Sequence, residues 1–359
     1  MHIIINKKII AVPVDTSRIF EKLHKIKHES FQARDSLRPY LFSLLGRRIP
    51  LEVRETAIDI LKDTVDESVP LIEDIYPDMP DNPTLCSKEE VEEFFRLLLL
   101  TFSGFTFLLD STKYQRICRF HICGIPFYVI RNTESGFMLN EARPGKEYLE
   151  LIYSAWYRTS PVPRHLGFAF DEDMTWLVRM ESAYSRTKEI KYALEKYFPD
   201  ISKEGGADIG AGLSTVSFSI MEELGWAGFD IVEPSPAFQK IQREWGKNRI
   251  FNSLEELIKS KRKFSLVTCL TVLEHVVDPE IFLMGLSEIT QPGAMLFLRI
   301  PETPDNGPKG ECMEHLNHFT KQTIKLFLEA AGFEFLEAIP SRSPRNKNSI
   351  VMCVIARKI

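Results

Sequence analysis

The chain has 359 residues, 44% of them hydrophobic and 26% charged, with a formal net charge of -5. That composition suits a soluble globular protein with room for two or three domains, and the mild negative balance argues against a general nucleic-acid binder, which carries a basic stripe or domain. The six cysteines (Cys86, Cys118, Cys123, Cys269, Cys312 and Cys353) are too scattered for a disulfide framework and fit a reducing compartment.

The opening "MHIIINKKIIAVPV" holds apolar runs too short, and too interrupted by lysine, for a signal-peptide core. Up to about residue 110 the pattern reads as helical. In "LEVRETAIDILKDTV", Val53, Ala57, Ile60 and Leu61 recur at helical spacing. "CSKEEVEEFFRLLLLTF" predicts a further helix, with Ser87 and Glu90 as a capping box and Val91, Phe94, Phe95, Leu98, Leu99 and Phe102 on one face. The proline- and aspartate-rich "IYPDMPDNPT" between them is a loop. The most apolar stretch, at 97–109, falls short of the roughly 20 residues that span a bilayer, so we expect a cytoplasmic protein.

Short strands follow at "FYVI", "GFMLN" and "LELIYSAWY", and "RTSPVPRHLG" (158–167) is a linker. One or two long helices come next, in "DMTWLVRMESAYSRTKEIKYALEKYF". Strands are then expected at 207–209, 229–232, 264–269 and 295–300, and helices at 215–224, 279–289 and 321–331. Such alternation specifies a mostly parallel sheet covered by helices. "FEFLEAI" and "SIVMCVIA", with no helix between them, predict an antiparallel hairpin at one edge. Three parts result: a helical region at 1–110, a small β module at 111–160 and an α/β domain at 168–359.

"ADIGAGLSTVSFSIMEELGWAGFDIVEP" (207–234) carries a glycine loop between a strand and a helix. No Gly-Lys-Ser/Thr follows, so it is not a Walker loop. The third glycine of a dinucleotide fingerprint is replaced by Thr215, and an acid, Asp208, stands where such a strand is apolar. "DIGAGLS" instead resembles the first motif of class I S-adenosylmethionine-dependent methyltransferases. "KFSLVTCLTVLEHVVDPEIFL" (263–283) is similar to that family's fourth strand and following turn, "IFNSLEEL" (250–257) to its adenine-side loop, and "EHLNHFTKQTIKLFLEAAGF" (314–333) to its approach to the last helix. The resemblance implies a Rossmann-like sheet and S-adenosylmethionine as cofactor. It also implies that Asp208 meets the methionine ammonium through water, that Gly210 and Gly212 let the backbone approach, and that Glu233, before Pro234, takes the ribose hydroxyls. Asn252 and Ser253 are implied beside adenine, and Leu270 and Thr271 in the turn after the fourth strand. Ser214 stands where a third glycine is usual, which implies a tighter loop and weaker binding.

Methyl transfer to a hydroxyl or carbon acid needs a base near neutral pH, a task suited to histidine. The candidates are His315, with Glu314 as orienter, and His275 in reserve; His318 reads as structural. Glu311, Cys312, His315 and His318 lack the paired spacing of a zinc site, and we expect no metal there. "ICRFHICGIPFYVIRNTESGFMLNEARPGKEYLELIYSAWY" (117–157) resembles the zinc ribbon that precedes this domain in some sugar-modifying methyltransferases. Cys118, His121 and Cys123 remain, but Asn132 and Ser135 stand where the second pair of cysteines belongs, so the module is expected to hold by packing. The resemblance implies a small-molecule acceptor, a sugar or nucleotide-linked sugar, as in polysaccharide biosynthesis, and neither nucleic acid nor membrane as partner. An aromatic or quinone-like hydroxyl as acceptor, and a non-catalytic scaffold, remain open. Residues 1–110 are left with acceptor selection or homodimer formation.

Overall fold

The computed structural model describes residues 2–5, 8–11, 16–45, 49–75, 106–108, 110, 112–122, 124–143, 172–212, 215–244, 249–308, 315–342 and 350–359. The expected helix at 87–102, the strand in "LELIYSAWY", the linker at 158–167, Ser214 and Glu314 lie outside these residues. Among the described residues, no helix is long and apolar enough to cross a membrane.

The chain begins with an antiparallel ribbon, β1 (His2–Ile5) and β2 (Lys8–Ala11), where a helical region was expected. Isoleucine-rich runs explain the difference, because β-branched side chains are restricted in helices and suit extended backbone. Helices α1 (Thr16–Lys27), α2 (Phe31–Ser36), α3 (Arg38–Ser43), α4 (Leu51–Lys62) and α5 (Ile72–Ile75) follow. In α4 the four residues at helical spacing, Val53, Ala57, Ile60 and Leu61, are all buried.

These helices pack on a small sheet. Strand β3 (Thr106–Phe107) pairs with β7 (Ala142–Arg143), while β4 (Tyr114–Ile122), β5 (Ile125–Asn132) and β6 (Met138–Asn140) form an antiparallel meander. Phe42 of α3 stacks on Phe107 at 5.3 Å and meets Phe127 of β5 at 5.6 Å. A buried charge network closes the same joint. Arg116 of β4 donates to Asp35 at 2.9 and 3.1 Å and to Glu141 at 2.6 and 3.1 Å. Arg38, fully buried, donates to Thr64 at 2.7 Å and to the Pro126 carbonyl at 2.6 Å, with Glu141 at 3.7 Å.

The C-terminal part opens with α6 (Glu172–Tyr197), a single helix where one or two were expected. Strands β8 (Gly206–Ile209), β9 (Phe229–Val232), β10 (Arg249–Phe251), β11 (Phe264–Leu270) and β12 (Thr290–Pro301) then alternate with α7 (Thr215–Leu224), α8 (Pro236–Glu244), α9 (Leu254–Lys259) and α10 (Pro279–Ile289). After β13 (Asn317–His318) come α11 (Lys321–Ala330), β14 (Phe333–Arg342) and β15 (Ile350–Lys358). The large sheet has the order β10-β9-β8-β11-β12-β15-β14. Its strands are parallel except β15, which runs antiparallel to both neighbours and makes the expected edge hairpin.

All seven residues of β11 are buried, as a strand covered on both faces requires. Val267 and Cys269 pack on the α9, α10 and α11 side, and Leu266 and Leu270 on the α6 and α7 side. The turn into α10 is written in "DPE": Asp278 caps the helix by accepting from the Ile281 N–H at 3.0 Å, and Pro279 occupies its first turn.

β13 does not join the large sheet. It pairs with β6, giving the small sheet the order β13-β6-β5-β4. The small module and the α/β domain therefore share a sheet, and Phe137 packs against Phe319 and Phe327 at 5.2 and 4.8 Å.

Candidate active site

The carboxyl ends of β8, β9, β11 and β12 meet at one edge of the large sheet, the place where open α/β sheets bind ligands. Gly210 and Gly212, after β8, have φ of +69° and +56°. A Cβ on Gly210 would lie 2.4 Å from Val272, so that position admits glycine alone. The loop is tied to the end of β9: Gly210 and Ala211 donate to the Val232 carbonyl at 2.8 and 3.2 Å, and Gly212 donates to Glu233 Oε2 at 2.7 Å. Glu233 is buried, and its Oε1 accepts from the Ser235 N–H at 2.7 Å. Pro234 between them is exposed.

Asn252 and Ser253 are placed nearby but are already engaged. Gln239 donates to the Glu233 carbonyl at 2.6 Å and to Asn252 Oδ1 at 3.0 Å, and Asn252 donates to Glu256 from both nitrogens, at 2.7 and 2.9 Å. Ser253 caps α9, accepting from the Glu256 N–H at 3.2 Å. Asp208 lies beneath the loop, buried, and accepts from Thr268 at 2.8 Å. Burial pushes its carboxyl up to about 6, against the hydrogen bonds of Thr268 and Ser217 and the charge of Arg186.

Leu270 is buried at the end of β11, and Thr271 follows with a φ of +57°, a strained conformation for a β-branched residue. Thr271 donates its N–H to the Arg299 carbonyl at 2.7 Å, and the chain then turns through Glu274 and His275. Sequence reasoning passed over Glu274, though it stands in the same "LEHV" as His275. Its side chain is 1% exposed, and Oε2 has no hydrogen-bond partner. Burial pushes it up to about 7, against the pull of His315, a hydrogen bond from its own backbone N–H and the charge of Arg299.

His275 and His315, some 40 residues apart in sequence, come together edge to face with ring centroids 4.8 Å apart. His275 Nε2 is 3.8 Å from Glu274 Oε1.

Both histidine-bearing segments are held by the small module. Asn317 donates its side-chain nitrogen to the Leu273 and Val276 carbonyls at 3.1 and 2.7 Å, and its N–H to the Glu274 carbonyl at 3.1 Å. Arg143 of β7 donates to Asn317 Oδ1 at 3.2 Å and to the Val277 carbonyl. Asn140 of β6 donates its N–H to the Leu316 carbonyl at 3.1 Å, and its Oδ1 lies 2.9 Å from His318 Nε2. Burial pushes His318 down to about 3, so the ring is neutral and donates to Asn140. The expectation of a structural role for His318 fits this arrangement. Asn140 and Arg143 stand in the "GFMLNEARP" stretch that resembles the ribbon of sugar-modifying enzymes.

The methyltransferase-domain family model matches residues 184–338, under half of the 359-residue chain but the whole glycine loop, Glu233 and both histidines. Residues 184–338 carry a methyltransferase domain. Three solved structures are similar to it. A methyltransferase from Clostridium acetobutylicum, described as S-adenosylmethionine-dependent, is 13% identical over 49% of this chain and 91% of its own, with a TM-score of 0.39. Magnesium protoporphyrin IX methyltransferase from Synechocystis, with S-adenosylhomocysteine bound, is 13% identical over 60% of this chain and 100% of its own, at 0.43. Plantazolicin methyltransferase, with the same ligand, is 12% identical over 59% and 94%, at 0.43. No curated protein matches the chain by sequence.

The residues of the loop suit the S-adenosylmethionine that the sequence resemblance implies. A loop held in left-handed backbone at Gly210 and Gly212 brings main chain close to whatever lies at the strand ends. A carboxylate has lone pairs for about four donors, so Glu233 can serve backbone N–H groups and ribose hydroxyls together.

Proposed function

We propose that the enzyme methylates a small-molecule acceptor, a sugar or nucleotide-linked sugar, at a hydroxyl or an acidic carbon. The observation that carries this reading is the meeting of His275 and His315 beside Glu274, next to the carboxyl ends of β8 and β11. S-adenosylmethionine, when bound, supplies a methyl group on a sulfonium, a good leaving group. Glu233, Gly210 and Gly212 hold it, with Asp208 beneath, Leu270 and Thr271 alongside, and Asn252 and Ser253 on the adenine side. Glu274, His275 and His315, with Glu314 in the adjoining stretch, handle the acceptor and its proton. Their main contribution is alignment, since in-line displacement depends on holding nucleophile and methyl group at near-attack distance.

The sugar class rests on the "GFMLNEARP" resemblance, and the contacts of Asn140 with His318 and of Arg143 with Asn317 support a positioning part for that stretch. The free thiols Cys118, Cys269 and Cys353 suit a cytoplasmic setting.

The test is calorimetric titration with S-adenosylmethionine and S-adenosylhomocysteine, with NAD as control, on wild type and Glu233→Ala. Binding of the sulfonium pair alone, lost in the variant, is the expected result. Transfer assays with nucleotide sugars and with phenols then identify the acceptor class. Methylation of phenols alone defeats the sugar reading. Silence with all cofactor ligands makes the fold a scaffold.

A further inference from the structure

We propose that Glu274, His275 and His315 are the ligands of a divalent transition-metal ion, with zinc the best match to the donor set. The inference departs from the sequence-based expectation of no metal, and it draws on a different set of residues. One ligand atom from each of the three residues lies within 4.8 Å of the others. Ligand atoms about 2.1 Å from a tetrahedral ion are ~3.4 Å apart, so side-chain movement of at most about 1.4 Å closes the shell.

The second observation is the state of Glu274. Among the buried acids of this domain, Glu233 accepts from two backbone N–H groups and Asp208 from hydroxyls. Glu274 is as deeply buried, yet its Oε2 has no donor at all. A carboxylate oxygen without a donor in the interior is costly unless a cation meets it.

Two imidazoles and one carboxylate suit zinc and its first-row neighbours, whereas magnesium and calcium favour shells of oxygen. Three protein ligands leave a position open, the arrangement of a catalytic rather than a structural ion. The surroundings are those of a built site. Asn317 fixes the backbone on both sides of Glu274 through the Leu273, Glu274 and Val276 carbonyls, and Arg143 braces Asn317 in turn. His318, three residues from His315, is kept out of the shell because its Nε2 is committed to Asn140.

The use of the ion rests on the methyl-transfer reading; its binding does not. At the open position an acceptor hydroxyl binds through oxygen, becomes more acidic and gives its proton to solvent. That oxygen then forms its bond to the methyl carbon as the carbon–sulfur bond breaks, and the electron pair goes to sulfur, leaving a neutral thioether.

The experiment needs neither cofactor nor acceptor. Full-length protein is stripped with a chelator, then titrated with Zn2+ by calorimetry and with Co2+ by visible absorption. Wild type, Glu274→Gln, His315→Ala and the distant Glu337→Gln are compared, each checked for a cooperative thermal melt. We expect one ion per chain in wild type and Glu337→Gln, a Zn2+-dependent rise in melting temperature, and at least 10-fold weaker binding in the two cluster variants. His275→Gln serves where a cluster variant does not fold. No binding in wild type, or equal binding in folded cluster variants, overturns the proposal. Turnover that survives chelation sinks the metal and spares the methyltransferase reading. A bound ion in a protein that ignores S-adenosylmethionine does the reverse.

Discussion

Two clusters of buried charge sit in this protein, and they are built on opposite terms. The joint between the N-terminal helices and the small sheet sets Arg38 and Arg116 against Asp35 and Glu141, charge for charge, with Arg116 reaching both acids within hydrogen-bond distance. At the sheet edge, Glu274 meets His275 only at 3.8 Å, and one of its oxygens has no donor. The first cluster sets guanidinium groups against its acids, although Arg38 Nε and Glu141 Oε2 there also lack hydrogen-bond partners. The second has an equally orphaned carboxylate oxygen, with only a histidine facing the acid at ion-pair distance. Burial and an unpartnered oxygen do not distinguish them; the charge facing the acid does.

The sharpest way to break the comparison is to remove one acid from each cluster. Glu141→Ala leaves Arg38 and Arg116 buried with Asp35 alone, and the expected loss in chemical denaturation is about 3–5 kcal/mol. An unchanged midpoint would show that charge closure does not hold the joint. Glu274→Gln in metal-free protein is expected to move the other way, stabilising by up to about 3 kcal/mol, because it removes the charge from a buried carboxylate, one of whose oxygens lacks a donor.

Asp208 sharpens the contrast as an intermediate case, hydrogen-bonded by hydroxyls and within the field of Arg186. Its carboxyl is raised from 3.8 to about 6 in the folded protein, so the fold keeps a proton that the unfolded chain has already released. Stability contributed by this group is therefore present below 3.8, declines as pH rises towards 6, and is flat above. Asp208→Asn should flatten that decline and gain on the order of 2 kcal/mol at pH 8. A pH series of melting temperatures reads it. The smallest effect belongs to Arg143→Ala, which frees the loop carbonyl of Val277 and leaves Asn317 unbraced. A loss of about 10-fold in kcat, with cofactor affinity unchanged by calorimetry, is expected from an acceptor-side displacement. Equal losses in both would make Arg143 a general stabiliser.

Much of the α/β domain was legible because its signals are local. The glycine loop, the alternation of strands and helices and the helix-free closing hairpin each lie in one short stretch. The helical spacing of Val53, Ala57, Ile60 and Leu61 named a buried face correctly for the same reason. The N-terminal ribbon escaped because isoleucine runs were read within a helical region. Glu274 escaped because "LEHV" draws the eye to histidine, and a carboxylate's lack of a donor is a property of its surroundings. Asn252 and Ser253 were read as ligand contacts, and in the structure they also tie the loop to α9 through Glu256 and Gln239. Their type could be read; their engagements could not. Least legible was β13, whose two residues pair with a strand far upstream and carry no periodicity of their own.

That pairing has a consequence for synthesis on the ribosome. Asn140 and His318 are separated by 178 residues, which elongation at about 5–20 residues per second takes roughly 10–35 s to cover. Throughout that interval β6 presents Met138 and Leu139, both buried in the finished protein, on an edge that awaits its neighbour. An unpaired strand edge is a template for association with other chains. The edge of β6 therefore stays unpaired for longer than the local meander takes to form, and fragments that stop short of residue 317 lack the strand that covers it.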